Sequence, residues 1–242
     1  MPVAMSPAAV ARSAEHRFFS AMSVIAAIVI VTGFGNTYGP KVLGGTPVPG
    51  IIHLHAVVFA SWLVLFVAQT LLVLRGRIKL HQQVGTWGMA LAGLMLVVGV
   101  LTAIAAAKLG HRGIPGVEFP DPEGFLLLNV CATLVFSVLV AVAWVYRRTP
   151  QIHKRLMLMA VMGGLVGPGA SRLPLVAGHT PAIGAVVMAF LLAGPIHDLI
   201  TRRRIHPAYI GGFAVALFAL PPVVAALAST SAWHRIAASL MQ

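Results

Sequence analysis

Runs of about twenty apolar residues recur along almost the whole chain, and each is long enough to cross the roughly 30 Å hydrocarbon core of a bilayer as a helix. Of the 242 residues, 59% are hydrophobic and only 9% charged, so little polar chain is left to build a separate soluble domain. In lipid every backbone polar group has to be satisfied within the protein, and the helix does so inside a single segment. The sequence therefore predicts an all-α fold, a polytopic transmembrane helix bundle forming one integral-membrane domain over residues 1–242.

The apolar runs give about seven helices, near Phe18–Gly35, Ile51–Leu74, His81–Ala107, Glu123–Tyr146, Ile152–Gly167, Pro181–Ile200 and Tyr209–Ala228. Residues 1–17 read as a short cytoplasmic segment with Arg12, Glu15, His16 and Arg17, residues 18–228 as the bundle, and residues 229–242 as a C-terminal tail. The first run is long for a signal-peptide core and no A-x-A site follows it, so it is read as a retained helix. The fifth ends in the breaker run Gly167-Pro168-Gly169, and the sixth carries Gly194-Pro195, where a kink is expected.

Charge sets the orientation. Arg75, Arg77 and Lys79 follow the second run, Arg147, Arg148, Lys154 and Arg155 surround the turn after the fourth, and Arg202, Arg203 and Arg204 follow the sixth. The loop after the third holds Glu118, Asp121 and Glu123. This asymmetry predicts a cytoplasmic N-terminus and a periplasmic C-terminus in a bacterial inner membrane. The formal charge of +12 sits in these turns and not on a soluble basic face, so the expected partners are the lipid bilayer and other membrane subunits or a second copy of the chain, with no nucleic acid. The single cysteine, Cys131, excludes an intrachain disulfide or a thiolate-rich metal site and reads as a small packed hydrophobe.

Histidines carry the most specific signal. His81, His153, His197 and His206 each lie beside a Lys/Arg cluster at a helix end. With Asp198 they make a candidate metal site, because imidazole suits zinc, copper and iron and a carboxylate can complete or orient such a site. The alternative is that these side chains only flank helices at the interface, with Asp198 and Arg202 an i,i+4 pair. Arg75 to His81 and Arg147 to His153 repeat the same spacing, and each histidine opens a stripe: Gly85, Gly88, Ala92 and Met95 after His81, Met157, Ala160, Gly164 and Gly167 after His153. Small residues in such stripes let membrane helices approach. Arg204-Ile205-His206-Pro207 is a looser third copy.

A second group comprises His53, His55, His111 and His179, with Arg172. His55, Trp62 and Gln69 fall at heptad spacing and form a semipolar stripe, with Gln69 expected to find an interhelical hydrogen bond. His179 and His197 are about 27 Å apart on one face of a straight helix. Arg172 can neutralise haem propionates, an anionic substrate, or Asp121 and Glu123, or it can snorkel to the interface. Methionines Met89, Met95, Met157, Met159 and Met162 invite a Cu(I) reading, but no Met-x-x-Met cluster gathers at an aqueous entrance, so they read first as packing filler. Phosphate-loop, HExxH and GxSxG motifs are absent from the sequence.

An apolar helix opening with His55, then Gln69, a basic turn and His81-x-x-x-Gly85 resembles uncharacterised bacterial polytopic membrane families with His-x-x-x-Gly helix starts, over the second and third runs above all. More distantly the chain is similar to transmembrane di-haem cytochromes of the b type. That similarity implies His81 with His153 as one ligand pair and His55 with His179 as the other; the fourth run, however, has no histidine, and the candidates sit at helix ends. The expected function is a membrane redox or metalloprotein binding haem b or another His-ligated transition metal. The alternatives are a small-solute or ion transporter using Gln69, Arg172 and the histidines, and an accessory subunit of a larger membrane complex.

Overall fold

The computed structural model describes residues 7–114 and 116–242, with side chains from Ser13 onward. Of the N-terminal segment, residues 1–6 and the side chain of Arg12 lie outside the described residues. The chain runs through α1 (Pro7–Gly35), α2 (Tyr38–Leu43), α3 (Gly50–Leu74), α4 (Ile78–Lys108), a small antiparallel hairpin of β1 (Gly113–Ile114) and β2 (Val117–Glu118), and α5 (Pro122–Val145). It continues through α6 (Pro150–Gly164), α7 (Val166–Ala170), α8 (Thr180–Arg202), α9 (Pro207–Ala216), α10 (Pro221–Ala228) and α11 (Ser231–Met241). Every apolar run of the sequence is helical. Proline opens α5, α6, α8, α9 and α10 at the first turn, where its missing N–H leaves no intrahelical bond unmade. Asp121 caps α5 by accepting from Gly124 N at 2.8 Å.

Among the described residues, five helical stretches are long and apolar enough to cross a membrane: Ser13–Leu43, α3, α4, α5 and α8. A sixth crossing results if Pro207–Ala219 and Pro221–Ala228, bent by 47° between them, are one span. The fifth apolar run behaves differently. Its helix α6 has 15 residues, short of the about 20 a crossing needs, because its first turns carry Gln151, His153, Lys154 and Arg155 and the helix breaks at Leu165 before α7.

α6 is also the most enclosed of the longer helices. Leu158, Met159, Ala160, Val161 and Met162 are all within 1% of full burial, and the helix packs against α5, α8 and α9. Around this core, Val31, Val64, Trp87, Val145 and Ile200 are exposed apolar side chains. Such a surface is costly in water and appropriate to lipid. The basic turns after α3, α5 and α8 gather at one end of the bundle, and the acidic loop before α5 lies at the other.

The breaker run Gly167-Pro168-Gly169 has a packing role. A Cβ at Gly33 would stand 2.0 Å from the Gly169 carbonyl oxygen, and one at Gly169 would stand 2.6 Å from Ile30 Cα, so α1 and α7 touch backbone to backbone. The stretch read from sequence as a tail is instead mostly helix α11. Its Ala237 is buried with Ala103, Ala107 and Leu126 of α4 and α5, and Trp233 Nε1 donates to the Glu123 carbonyl at 3.0 Å.

Replacing Gly33 by Leu is expected to force α1 from α7 and destabilise the fold by about 1–3 kcal/mol or more. Gly35→Ala, with open space around it, is the control. Thermal unfolding in detergent checks both; equal melting temperatures for the two variants would contradict the close crossing.

Candidate functional site

Helices α3, α4, α5 and α6 converge at the basic end of the bundle on two histidines. The rings of His81, in the first turn of α4, and His153, in the first turn of α6, have centroids 6.3 Å apart and stand nearly perpendicular at 78°. His153 Nδ1 lies 2.8 Å from the Ala143 carbonyl of α5. A carbonyl only accepts, so the Nδ1 proton is fixed and the Nε2 lone pair is left free. On the other side the Gln69 amide of α3 donates to the His81 carbonyl at 3.1 Å and to His81 Nδ1 at 2.5 Å, while its oxygen accepts from Gly85 N at 2.9 Å. This amide orientation makes His81 Nδ1 an acceptor, so neutral His81 carries its proton on Nε2. The pair thus holds opposite tautomers.

The two histidine rings lie near one another, but the stripes that follow them do not face each other. The α4 stripe meets α3, since a Cβ at Gly88 would lie 3.0 Å from Leu65 Cδ2; the α6 stripe meets α5, since one at Gly164 would lie 2.8 Å from Phe136 Cβ. The stripes dock each helix on a different neighbour, and the long His81 and His153 side chains bridge the gap between α4 and α6.

Beside this pair lies a buried ionic core that sequence reasoning missed in part. Arg155, fully buried, donates through Nε to Asp198 Oδ2 at 2.8 Å and through Nη2 to Asp198 Oδ1 at 2.6 Å. Its Nη1 donates to the Gln151 carbonyl and Oε1 at 2.8 and 2.7 Å. Glu15 of α1 pairs with Lys154 at 2.6 Å and with Arg202 at 2.6 Å, and stands 3.5 Å from Arg155. Beneath it, the Tyr209 ring of α9 lies 5.7 Å from the Arg155 guanidinium, and Gly194 gives the phenol room. Glu15 and Arg155 had a legible signal. With only five acidic residues in the chain, an arginine one turn inside an apolar run needs one of them as a partner.

This arrangement corrects the larger metal cluster. His81, His153, His197, His206 and Asp198 do not form one site: among the described residues no group of three or more metal-binding side chains is assembled. Asp198 is committed to Arg155, with the expected Arg202 contact longer at 3.8 Å. His206 caps α9, its Nδ1 accepting from Ala208 N at 3.1 Å. His197 stacks on Phe18 with centroids 3.9 Å apart, and its buried Nδ1 has no partner.

At the opposite end the expected His55 and His179 pair is not made. His179 is exposed at the start of α8, whereas His55 stacks on Phe59 with centroids 3.9 Å apart. The His55, Trp62 and Gln69 stripe does face inward: Trp62 is 3% exposed and edge-on to Phe136 at 5.0 Å. Arg172 does not reach Asp121 or Glu123, because Asp121 caps α5 and Glu123 pairs with His234. Its guanidinium instead lies over Phe34 at 4.6 Å and donates to the Pro168 carbonyl at 2.6 Å. His53 bonds Tyr38, and His111 is exposed.

Comparison with protein-family models, curated proteins and solved structures finds no match. The site therefore rests on its own geometry.

Histidine-selective ¹⁵N NMR is expected to report His153 as the Nδ1–H tautomer and His81 as the Nε2–H tautomer. Gln69→Leu should release His81 alone. A wild-type protein with both histidines in the same tautomer would contradict the assigned hydrogen bonds.

Proposed function

We propose that the protein is a multi-pass redox or metalloprotein of a bacterial inner membrane whose working centre is a cofactor held by His81 and His153, either a transition-metal ion or the iron of haem b. In this reading the chain crosses about seven times, with α6 and α7 together counted as one crossing through the break at Leu165 and residues 207–228 as another. The N-terminus is cytoplasmic and the C-terminus periplasmic, and the pair belongs to the cytoplasmic face.

The observation that carries this reading is the spacing of the two rings. Imidazoles on opposite sides of one ion, bonded at about 2.0 Å, hold their nitrogens about 4 Å apart and their ring centroids about 6 Å apart. The separation here is 6.3 Å. His153 already has the support a ligating histidine needs, its Nδ1–H held by a carbonyl so that Nε2 points its lone pair outward. Ligation through His81 Nε2 would require its proton to move to Nδ1 and the Gln69 amide to turn, giving up its bonds to the His81 carbonyl and the Gly85 N–H. A bound copper or iron would supply one-electron transfer; the chain's own part is to orient two imidazoles.

A small-solute transporter is favoured by a different observation. His55 Nδ1, Trp62 Nε1 and Thr102 Oγ1 are buried without partners on α3 and α4, and unpaired polar atoms inside a membrane bundle mark pathways as well as cofactor sites.

Purified protein is expected to show stoichiometric iron or copper, with a Soret band if haem is the cofactor. His81→Ala and His153→Ala should each lower occupancy at least tenfold while His206→Ala leaves it unchanged. Metal-free, colourless protein that moves a solute in proteoliposomes would favour the transporter reading instead.

A further inference from the structure

Three cations converge on one carboxylate at the basic end of the bundle. Glu15 Oε1 accepts from Arg202 Nη2 at 2.6 Å and stands 3.5 Å from Arg155 Nη2, while Lys154 Nζ lies 2.6 Å from Oε2. Lys154 and Arg155 come from the first turns of α6 and Arg202 from the last turn of α8. Gln151 Oε1 ties the two helices together by accepting from Arg155 at 2.7 Å and from Arg202 at 3.1 Å. Helices α6 and α8 thus build a cradle of cationic donors, and α1 fills it with a carboxylate.

The charges in this cradle do not balance. Lys154, Arg155 and Arg202 bring three positive charges, and Glu15 and Asp198 bring two negative ones. The chain has only five acids, and the other three, Glu118, Asp121 and Glu123, stand at the opposite end of the bundle. Arg203 and Arg204, exposed directly after α8, add further positive charge. A positive charge left over among buried and half-buried groups is costly in a membrane protein. Exchanging the Glu15 carboxylate for a dianion removes the difference, because Asp198 and the dianion together match all three cations.

We propose that Lys154, Arg155 and Arg202 form a binding site for a phosphate dianion, either inorganic phosphate or a phosphate monoester, and that Glu15 is an internal plug the ligand displaces. A phosphate monoester has its second pKa at about 6 and is mainly dianionic at neutral pH, and the guanidinium fork matches its oxygens. The side chains of Arg202 and Lys154 are 34% and 19% exposed, whereas that of Arg155 is fully buried. The site therefore opens to the aqueous face through the first two and is backed by the Arg155 and Asp198 pair. Further along, α1 is held by Phe18 on His197, by Ser23 on Thr70 and by the Gly33 crossing. Release of Glu15 thus frees the first turns of α1 and leaves the rest of the helix in place. The site is independent of any cofactor at His81 and His153.

The test uses the full-length protein in two arms. In detergent at constant ionic strength, thermal unfolding is followed as inorganic phosphate replaces chloride, and the melting temperature should rise saturably. Glu15→Gln removes the competitor and should lower the half-saturating phosphate concentration about tenfold, whereas Lys154→Gln and Arg202→Gln should each raise it about tenfold. Glu15→Asp, with a shorter reach, should shift it in the same direction as Glu15→Gln and serves if that variant does not fold. His81→Ala should leave the phosphate response unchanged, which separates this site from the histidine pair. In nanodiscs of phosphatidylcholine with phosphatidic acid or phosphatidylglycerol, retained lipid is counted by native mass spectrometry. Retention of phosphatidic acid, a monoester, over phosphatidylglycerol, a diester, assigns the site to a lipid head group; phosphate saturation without that preference assigns it to a solute. Binding in neither arm, or Glu15 variants that bind phosphate no more tightly than wild type, overturns the proposal. Binding that survives both Lys154→Gln and Arg202→Gln unchanged means an adventitious ion only and overturns it too.

Discussion

The bidentate pair between Arg155 and Asp198 is the interaction around which the basic end of the bundle is arranged. Two charges with no solvent exposure are tolerated only when their geometry is good and their remaining donors and acceptors are met. Here they are: Gln151 takes the third arm of the guanidinium, and Glu15 with Arg202 closes the outer side. Because Arg155 stands on α6, Asp198 on α8 and Glu15 on α1, the pair ties three helices whose apolar surfaces alone carry little directional information. Lipid supplies no competing hydrophobic drive between helices, so polar contacts and close small-residue crossings determine which neighbours meet.

The other polar side chains follow from that frame. With α6 held at its start by Arg155, His153 two residues earlier is turned toward α5 and α4, where the Ala143 carbonyl and His81 meet it. The Gly33 and Gly169 crossing then holds the far end of the same segment against α1. The segment from Pro150 to Ala170 is thus secured by charge at one end and by backbone contact at the other, and its middle is filled with fully buried Leu, Met, Ala and Val. A short, broken helix suits this position, since it is shielded by its neighbours and has little need of a lipid-facing surface.

Much of this was readable in the chain. Apolar run lengths located the helices closely, α3 at Gly50–Leu74 against the expected Ile51–Leu74. The repeated Arg-to-His spacing singled out His81 and His153, and the heptad from His55 to Gln69 identified the inward face of α3. Periodicity could not say which helix each stripe would meet, because Gly and Ala fit any neighbour. The ionic core was half legible: an arginine inside an apolar run calls for an acid, but Glu15 is 140 residues from Arg155, and nothing local says which acid it meets. Asp198 looked like a ligand beside His197, yet a carboxylate one residue from a histidine on a helix faces elsewhere, and an arginine on another helix claimed it. Helix α11 was missed because eleven amphipathic residues fall below the length of a crossing.

The account stands on the claim that Arg155 and Asp198 hold one another inside the bundle. A double-mutant cycle with Arg155→Met and Asp198→Leu, read by reversible unfolding in detergent, tests it directly. Each single change leaves a buried charge without its bidentate partner and should cost about 3–5 kcal/mol, while the double change, which removes both members of the pair, should recover a large part of that loss. Additive losses in the double variant would contradict the pair and, with it, the arrangement of helices built around it.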